Sequence, residues 1–130
     1  MEQTQTFQPI ETPIGVLQTQ QAFFVHSVDL SQYPSAATLR GSLDVRGATK
    51  PIVGDFVEFV VTFHGMKAFL MNPASASFNA QSVSSFDEVV QSSWIAAIHP
   101  GEVDGHRHFV MHTADEVIEV IALGYRLKLL

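Results

Sequence analysis

The sequence predicts a mainly β domain: a single antiparallel β-barrel or two-layer sandwich of about eight strands, with one short helix around residues 85–98. Three observations predict it. Short apolar stretches rich in β-branched and aromatic residues recur between turn residues. Two pairs of these stretches flank two-residue breaks, as hairpin ribbons do. Only one segment carries apolar residues at helical spacing.

The opening MEQTQTFQPIETP is polar and holds Pro9 and Pro13, so residues 1–13 are expected to form a flexible arm ahead of one β-rich domain over 14–130. Strand-like stretches follow at Val16 to Thr19, Ala22 to Val28, Ala37 to Val45, Asp55 to Phe63 and Met66 to Asn72, with three more after Gly105. The breaks fall at Tyr33-Pro34, Arg46-Gly47, Lys50-Pro51, Val53-Gly54, Asn72-Pro73 and Pro100-Gly101. No repeat of fixed period is present.

The segment Asp55 to Asn72 reads as a hairpin about His64-Gly65. Phe63 would then face Met66, Val61 face Ala68 and Phe59 face Leu70, all on the core side with Val57. The reverse side would carry Glu58, Val60, Thr62, Lys67, Phe69 and Met71. A second ribbon runs from His106 to Ala122 about Ala114-Asp115. Its apolar parity turns Phe109, Met111, Ile118 and Val120 to the core. The opposite side then holds His106, His108, Val110, His112, Val117, Glu119 and Ile121. Tyr125 to Leu129, with Arg126 and Lys128 outward, is expected to extend this meander after a turn at Leu123-Gly124.

Between the ribbons, Ser84 to Gly101 carries Phe86, Val89, Val90, Trp94, Ala97 and Ile98 at helical spacing, and Ser85 with Glu88 has the spacing of a capping box. A helix is the first expectation. The competing one, favoured by Val89, Val90 and Ile95, is a strand near Phe86 to Val90 followed by a single turn at Ser92 to Trp94.

Composition narrows the function classes. The chain has 130 residues, 46% hydrophobic and 15% charged, which excludes intrinsic disorder and lets a domain bury roughly two-thirds of its unfolded surface. The charged fraction lies below the ~25% usual in soluble domains, so exposed surface suited to self-association is expected. With no cysteine there is no disulfide, no thiolate nucleophile and no Cys-ligated metal. The opening lacks a basic and then apolar leader, and no apolar run approaches the ~20 residues of a membrane helix, so a cytoplasmic protein without membrane attachment is expected. A net charge of −6 without a Lys/Arg cluster argues against a nucleic-acid backbone as the main partner.

Three of the six histidines fall in His106 to His112, on one strand face by parity. His106 and His108 would stand about 7 Å apart at Cα, a span two imidazoles can close around an ion. With Glu119 placed diagonally they form a conceivable two-His, one-carboxylate metal set, His112 lying too far along the strand to join. The alternative is a solvated face with a charge pair. His64 reads as a turn residue and His26 as a partly buried strand histidine. His26, Ser27 and Asp29 supply triad residue types, but neighbouring strand residues point to opposite faces and there is no G-x-S-x-G. Phosphate-cradling glycine motifs are absent as well.

His106-Arg107-His108 resembles the His-x-His strand of the cupin family, although the Glu that cupins place a few residues later is His112 here. Leu39 to Gly47 followed by Val53-Gly54-Asp55 to Phe59 is similar to a strand passage of oligonucleotide-binding barrels, which implies single-strand binding through Arg40, Arg46 and Lys50, diluted by Asp44 and Asp55. The pattern from Phe86 and Trp94 through Phe109 to Glu119 resembles small bacterial proteins and implies no activity.

The expectation is therefore a non-catalytic binding or interaction protein without a required cofactor, self-associating through a partly apolar sheet face formed by Val60, Phe69, Met71, Val110 and Ile121. A metal-dependent enzyme or metal sensor using His106, His108 and Glu119, and a barrel for single-stranded nucleic acid, are the alternatives.

Overall fold

A computed structural model describes residues 6–18, 22–32, 35–50, 54–73, 84–98, 101 and 103–130. Among them the chain forms β1 (Thr6–Pro9), β2 (Phe23–Asp29), β3 (Ala36–Asp44), β4 (Phe56–His64), β5 (Ala68–Pro73), β6 (Phe86–Val90), α1 (Ser93–Ala97), β7 (Arg107–His112), β8 (Glu116–Ala122) and β9 (Gly124–Leu129). The strands make two antiparallel sheets, ordered β1-β6-β7-β8-β5 and β2-β3-β4-β9. The sheets do not close into a barrel, and the arrangement fits a two-layer sandwich.

Period-two alternation explains the four-stranded sheet. Leu39, Val61 and Leu127 form one inward row, and Ala37, Phe63 and Tyr125 the next. The other sheet contributes Phe86, Phe109, Met111, Ile118 and Val120 to the same cluster. Phe23 of β2 meets Phe86 of β6 at 6.0 Å between ring centroids, and Phe63 of β4 meets Phe109 of β7 at 5.7 Å. Aromatic rings are thus the joint between the layers. Gly41 is required where β2 bulges between Val25 and Ser27: a Cβ there would lie 1.9 Å from the Phe24 carbonyl oxygen, a backbone atom that cannot step aside.

The ribbon from 106 to 122 is paired as expected, with Phe109 opposite Val120 and Met111 opposite Ile118. The ribbon about His64-Gly65 is not a hairpin. Both edges of β4 are occupied, by β3 and β9, so β5 crosses to the other sheet and pairs with β8. At the corner, Met66 N donates to the Ser35 carbonyl and Lys67 N to that of Ile121. Pairing with β8 also reverses the expected faces of β5. Phe69 lies opposite the inward Val120 and packs on the core, while Leu70 is exposed. The meander likewise ends early. Only Leu123 separates β8 from β9, too short a link for a hairpin, and β9 joins β4. Tyr125, Leu127 and Leu129 still pack inward.

The helix expected over 85–98 is replaced by the competing arrangement, β6 followed by one turn of helix. The capping-box residues are used differently. Ser85 Oγ accepts from Ala22 N, and the neighbouring Ser84 hydroxyl donates to the Asp87 carboxylate at 2.6 Å. These bonds and the burial of Phe86 hold the segment extended. Within the segment expected as an arm, Thr6–Pro9 pairs with β6 and Ile10 and Thr12 are buried. Residues 1–5 of that arm lie outside the described residues, as do Pro34, Pro51 and Pro100 among the expected breaks.

Candidate functional site

β6 ends at Val90, and Gln91 then takes a left-handed backbone conformation with φ 59°, rare for a residue with a side chain. This reversal sets Ser92 at the N-cap of α1, where its Oγ accepts from Ile95 N at 3.1 Å. The same oxygen lies 2.7 Å from His108 Nδ1 on β7. On the other side of the ring, His108 Nε2 lies 2.8 Å from Glu119 Oε1 on β8. Antiparallel pairing puts His108 opposite Ile121, so Glu119 reaches it from the diagonal position. With the neutral ring, Nε2–H donates to the carboxylate and Nδ1 accepts from the Ser92 hydroxyl.

The assembly is largely shielded. His108 is 4% exposed and Ser92 7%. The Trp94 and His108 rings meet nearly perpendicular, with centroids 5.4 Å apart. Beside it a cleft of about 380 Å³ is lined by Val90, Ser92, Ile95, Ala96, His106 and His108, among others. It offers an apolar patch of Val89, Val90, Ile95 and Ala96, the Glu88–Arg107 ion pair, Gln91 and His106, and one hydroxyl-imidazole edge.

The structure brings His108 and Glu119 together but commits both nitrogens of His108. The Nδ1 of His106 instead accepts from Asp104 N at 3.0 Å. Among the described residues no three His, Asp or Glu side chains gather to hold a metal. Ser92 and Trp94 were not legible as partners of His108: they lie 16 and 14 positions away, and only the N-cap preference of serine marks the spot.

Burial pushes the His112 imidazole below its ordinary value near 6.5, against the pull of the Asp87 and Glu119 carboxylates. The unfolded chain therefore takes up this proton first as pH falls. The stabilisation is complete above about pH 6.5 and is lost as pH drops from there through the lower folded value. Thermal midpoints measured from pH 7.5 to 5 should fall, and the His112→Asn variant should show a shallower fall.

The expected interface set is divided. Val110 and Ile121 are fully buried, Val110 in a small cluster with Val89 and Val117 against which Phe7 packs, so neither presents itself to a ligand or second subunit. The reverse face of this sheet is buried at His108, Val110 and Ile121 while Leu70 on it stays exposed, a division that parity alone could not reveal. Phe69 belongs to the core margin, Met71 is exposed on β5, and Val60 is half-buried on the outer face of the four-stranded sheet.

That outer face is built of four rows: Asp29, Thr38, Thr62 and Arg126; Ser27, Arg40, Val60 and Lys128; Phe24, Ser42 and Glu58; Asp44 and Phe56. The rings of Phe24 and Phe56 meet edge to face at 5.9 Å, yet they are 38% and 53% exposed. Arg46 lies 5.3 Å over the Phe56 ring while its guanidinium pairs with Asp44 in a two-bond fork at 3.0 and 2.8 Å. That fork holds the Asp44 carboxyl below the usual range. Lys50, the third cation of the expected nucleic-acid set, pairs instead with Glu11.

No protein-family model, curated protein or solved structure matches this chain. Among the described residues no helix is long and apolar enough to cross a membrane.

Proposed function

We propose that this chain is a binding protein that associates with a second copy of itself through the outer face of the four-stranded sheet. The observation that carries the reading is the Phe24–Phe56 pair, two exposed rings meeting edge to face on a sheet face that, Val60 apart, is otherwise polar or charged. The charges decide the kind of partner. Arg40, Arg126 and Lys128 occupy the two rows at one end, whereas Glu58 and Asp44 lie in the two rows that carry the rings. A two-fold axis parallel to these rows sets the cationic rows of one copy over the acidic, ring-bearing rows of the other, so that the rings of each copy meet the Arg and Lys side chains of its partner. A polyphosphate finds less support, because Asp29, Asp44 and Glu58 interrupt the cations and the chain carries −6 overall.

Sedimentation velocity over a wide concentration range tests this reading. The native protein should approach twice the single-chain mass, and Phe56→Asp should weaken association by roughly 30-fold or more, as loss of an aromatic anchor does. A native protein that stays at single-chain mass at the highest concentration overturns it. Retention of an oligonucleotide at low salt, lost with Arg40 and Arg46, would instead favour the nucleic-acid alternative.

A further inference from the structure

We infer that Ser92, His108 and Glu119 form an acyl-transfer centre that hydrolyses small, activated acyl esters in the cleft beside α1. This goes beyond self-association and does not depend on it. The hydrogen-bond chain is continuous, from Ser92 Oγ to His108 Nδ1 at 2.7 Å and from His108 Nε2 to Glu119 Oε1 at 2.8 Å. Relative to the familiar serine triad the two ring nitrogens exchange partners, but an imidazole can take a proton at either nitrogen while an acid orients the other. The hydroxyl oxygen gives its proton to His108 and one lone pair to Ile95 N–H, which leaves a second lone pair for attack.

Two further observations point to the same residue. The backbone reverses through the left-handed Gln91 immediately before Ser92, so a sparsely populated conformation is maintained at the point that aims this hydroxyl. Ser92 and His108 also both line the cleft of about 380 Å³, whose Val90, Ile95 and Ala96 can receive a short apolar acyl chain.

The reaction balances with water as the only co-reactant. Ser92 Oγ bonds to the acyl carbon as its proton passes to His108 Nδ1. The tetrahedral adduct expels the alcohol, whose oxygen takes that proton as the carbon–oxygen bond breaks. Water then attacks the acyl-serine, again giving a proton to His108, and the carboxylic acid departs as Ser92 Oγ recovers its own. Ser92 and His108 are the catalytic residues; Glu119 acts through His108 and is a positioning residue.

A fluorophosphonate probe tests the assignment on the full chain. Intact mass should show one adduct per chain, and peptide mapping should place it on Ser92. In His108→Gln the labelling rate should fall about 100-fold or more, the usual contribution of a general base. In Glu119→Gln the maximal labelling rate should fall while the probe concentration for half-maximal rate stays unchanged, a split that a merely structural role would not produce. No adduct on the native chain, an adduct on another residue, or unchanged labelling of a folded His108→Gln variant overturns the proposal. If His108→Gln does not fold, native mapping and the Glu119→Gln rates decide it.

Discussion

Replacing Phe86 with alanine should destabilise the protein by about 3–5 kcal/mol and lower its thermal midpoint by on the order of 10–20 °C. The ring is fully buried and meets Phe23, Phe63, Phe109 and Tyr125 at centroid distances of 6.0, 6.3, 6.3 and 5.1 Å. Three of those partners, Phe23, Phe63 and Tyr125, lie on strands of the opposite sheet. Alanine therefore removes buried area and also opens a void between two layers held by their strands, which limits collapse around it. Urea unfolding gives the check: the midpoint should shift with little change in slope. A loss below about 1 kcal/mol would mean that the layers are held elsewhere.

Phe86 also shows which parts of the fold the sequence made legible. Its spacing with Val89, Val90 and Trp94 fits a helix, because a helical and an extended segment can both bury every third or fourth residue when both faces of the strand are covered. What decides for the strand is the partner: β7 supplies a ladder on one side and β1 on the other. Local pattern carries no information about that. The same limit explains the two corners. Phe59, Val61 and Phe63 were correctly placed in the core by alternation, but which strand lies beside them depends on which edges are already filled.

The ribbon from 106 to 122 was legible in full, register included, because its two-residue loop and its apolar parity agree. Its reverse face was not. Histidines at alternate positions suggest a wet surface, yet here the reverse side is buried around His108, Val110 and Ile121, and His108 is tied at both nitrogens. Glu119 could be placed near it by register alone. Ser92 could not, since contact with β7 depends on the left-handed turn at Gln91 and the short helix beyond it.

Alanine at position 108 should cost about 2–4 kcal/mol, from the void left by the ring and the buried Ser92 hydroxyl left without its acceptor. The Ser92 hydroxyl loses its acceptor, the Glu119 carboxylate loses its donor, and Trp94 loses the ring packed against it. Ser92→Ala should cost less, about 1–2 kcal/mol, since it removes a cap but leaves His108 bonded to Glu119. A double-mutant cycle between His108 and Glu119 should then return a coupling of about 0.5–3 kcal/mol by chemical denaturation. The more telling variant replaces both with leucine. A buried polar pair is commonly matched or exceeded in stability by apolar residues of similar volume. His108→Leu/Glu119→Leu should therefore recover most of the stability lost in His108→Ala while remaining unreactive toward the fluorophosphonate. Stability and reactivity would then separate, as expected if the relay serves proton transfer; a double-leucine protein still labelled at Ser92 would show that the imidazole does no chemistry there.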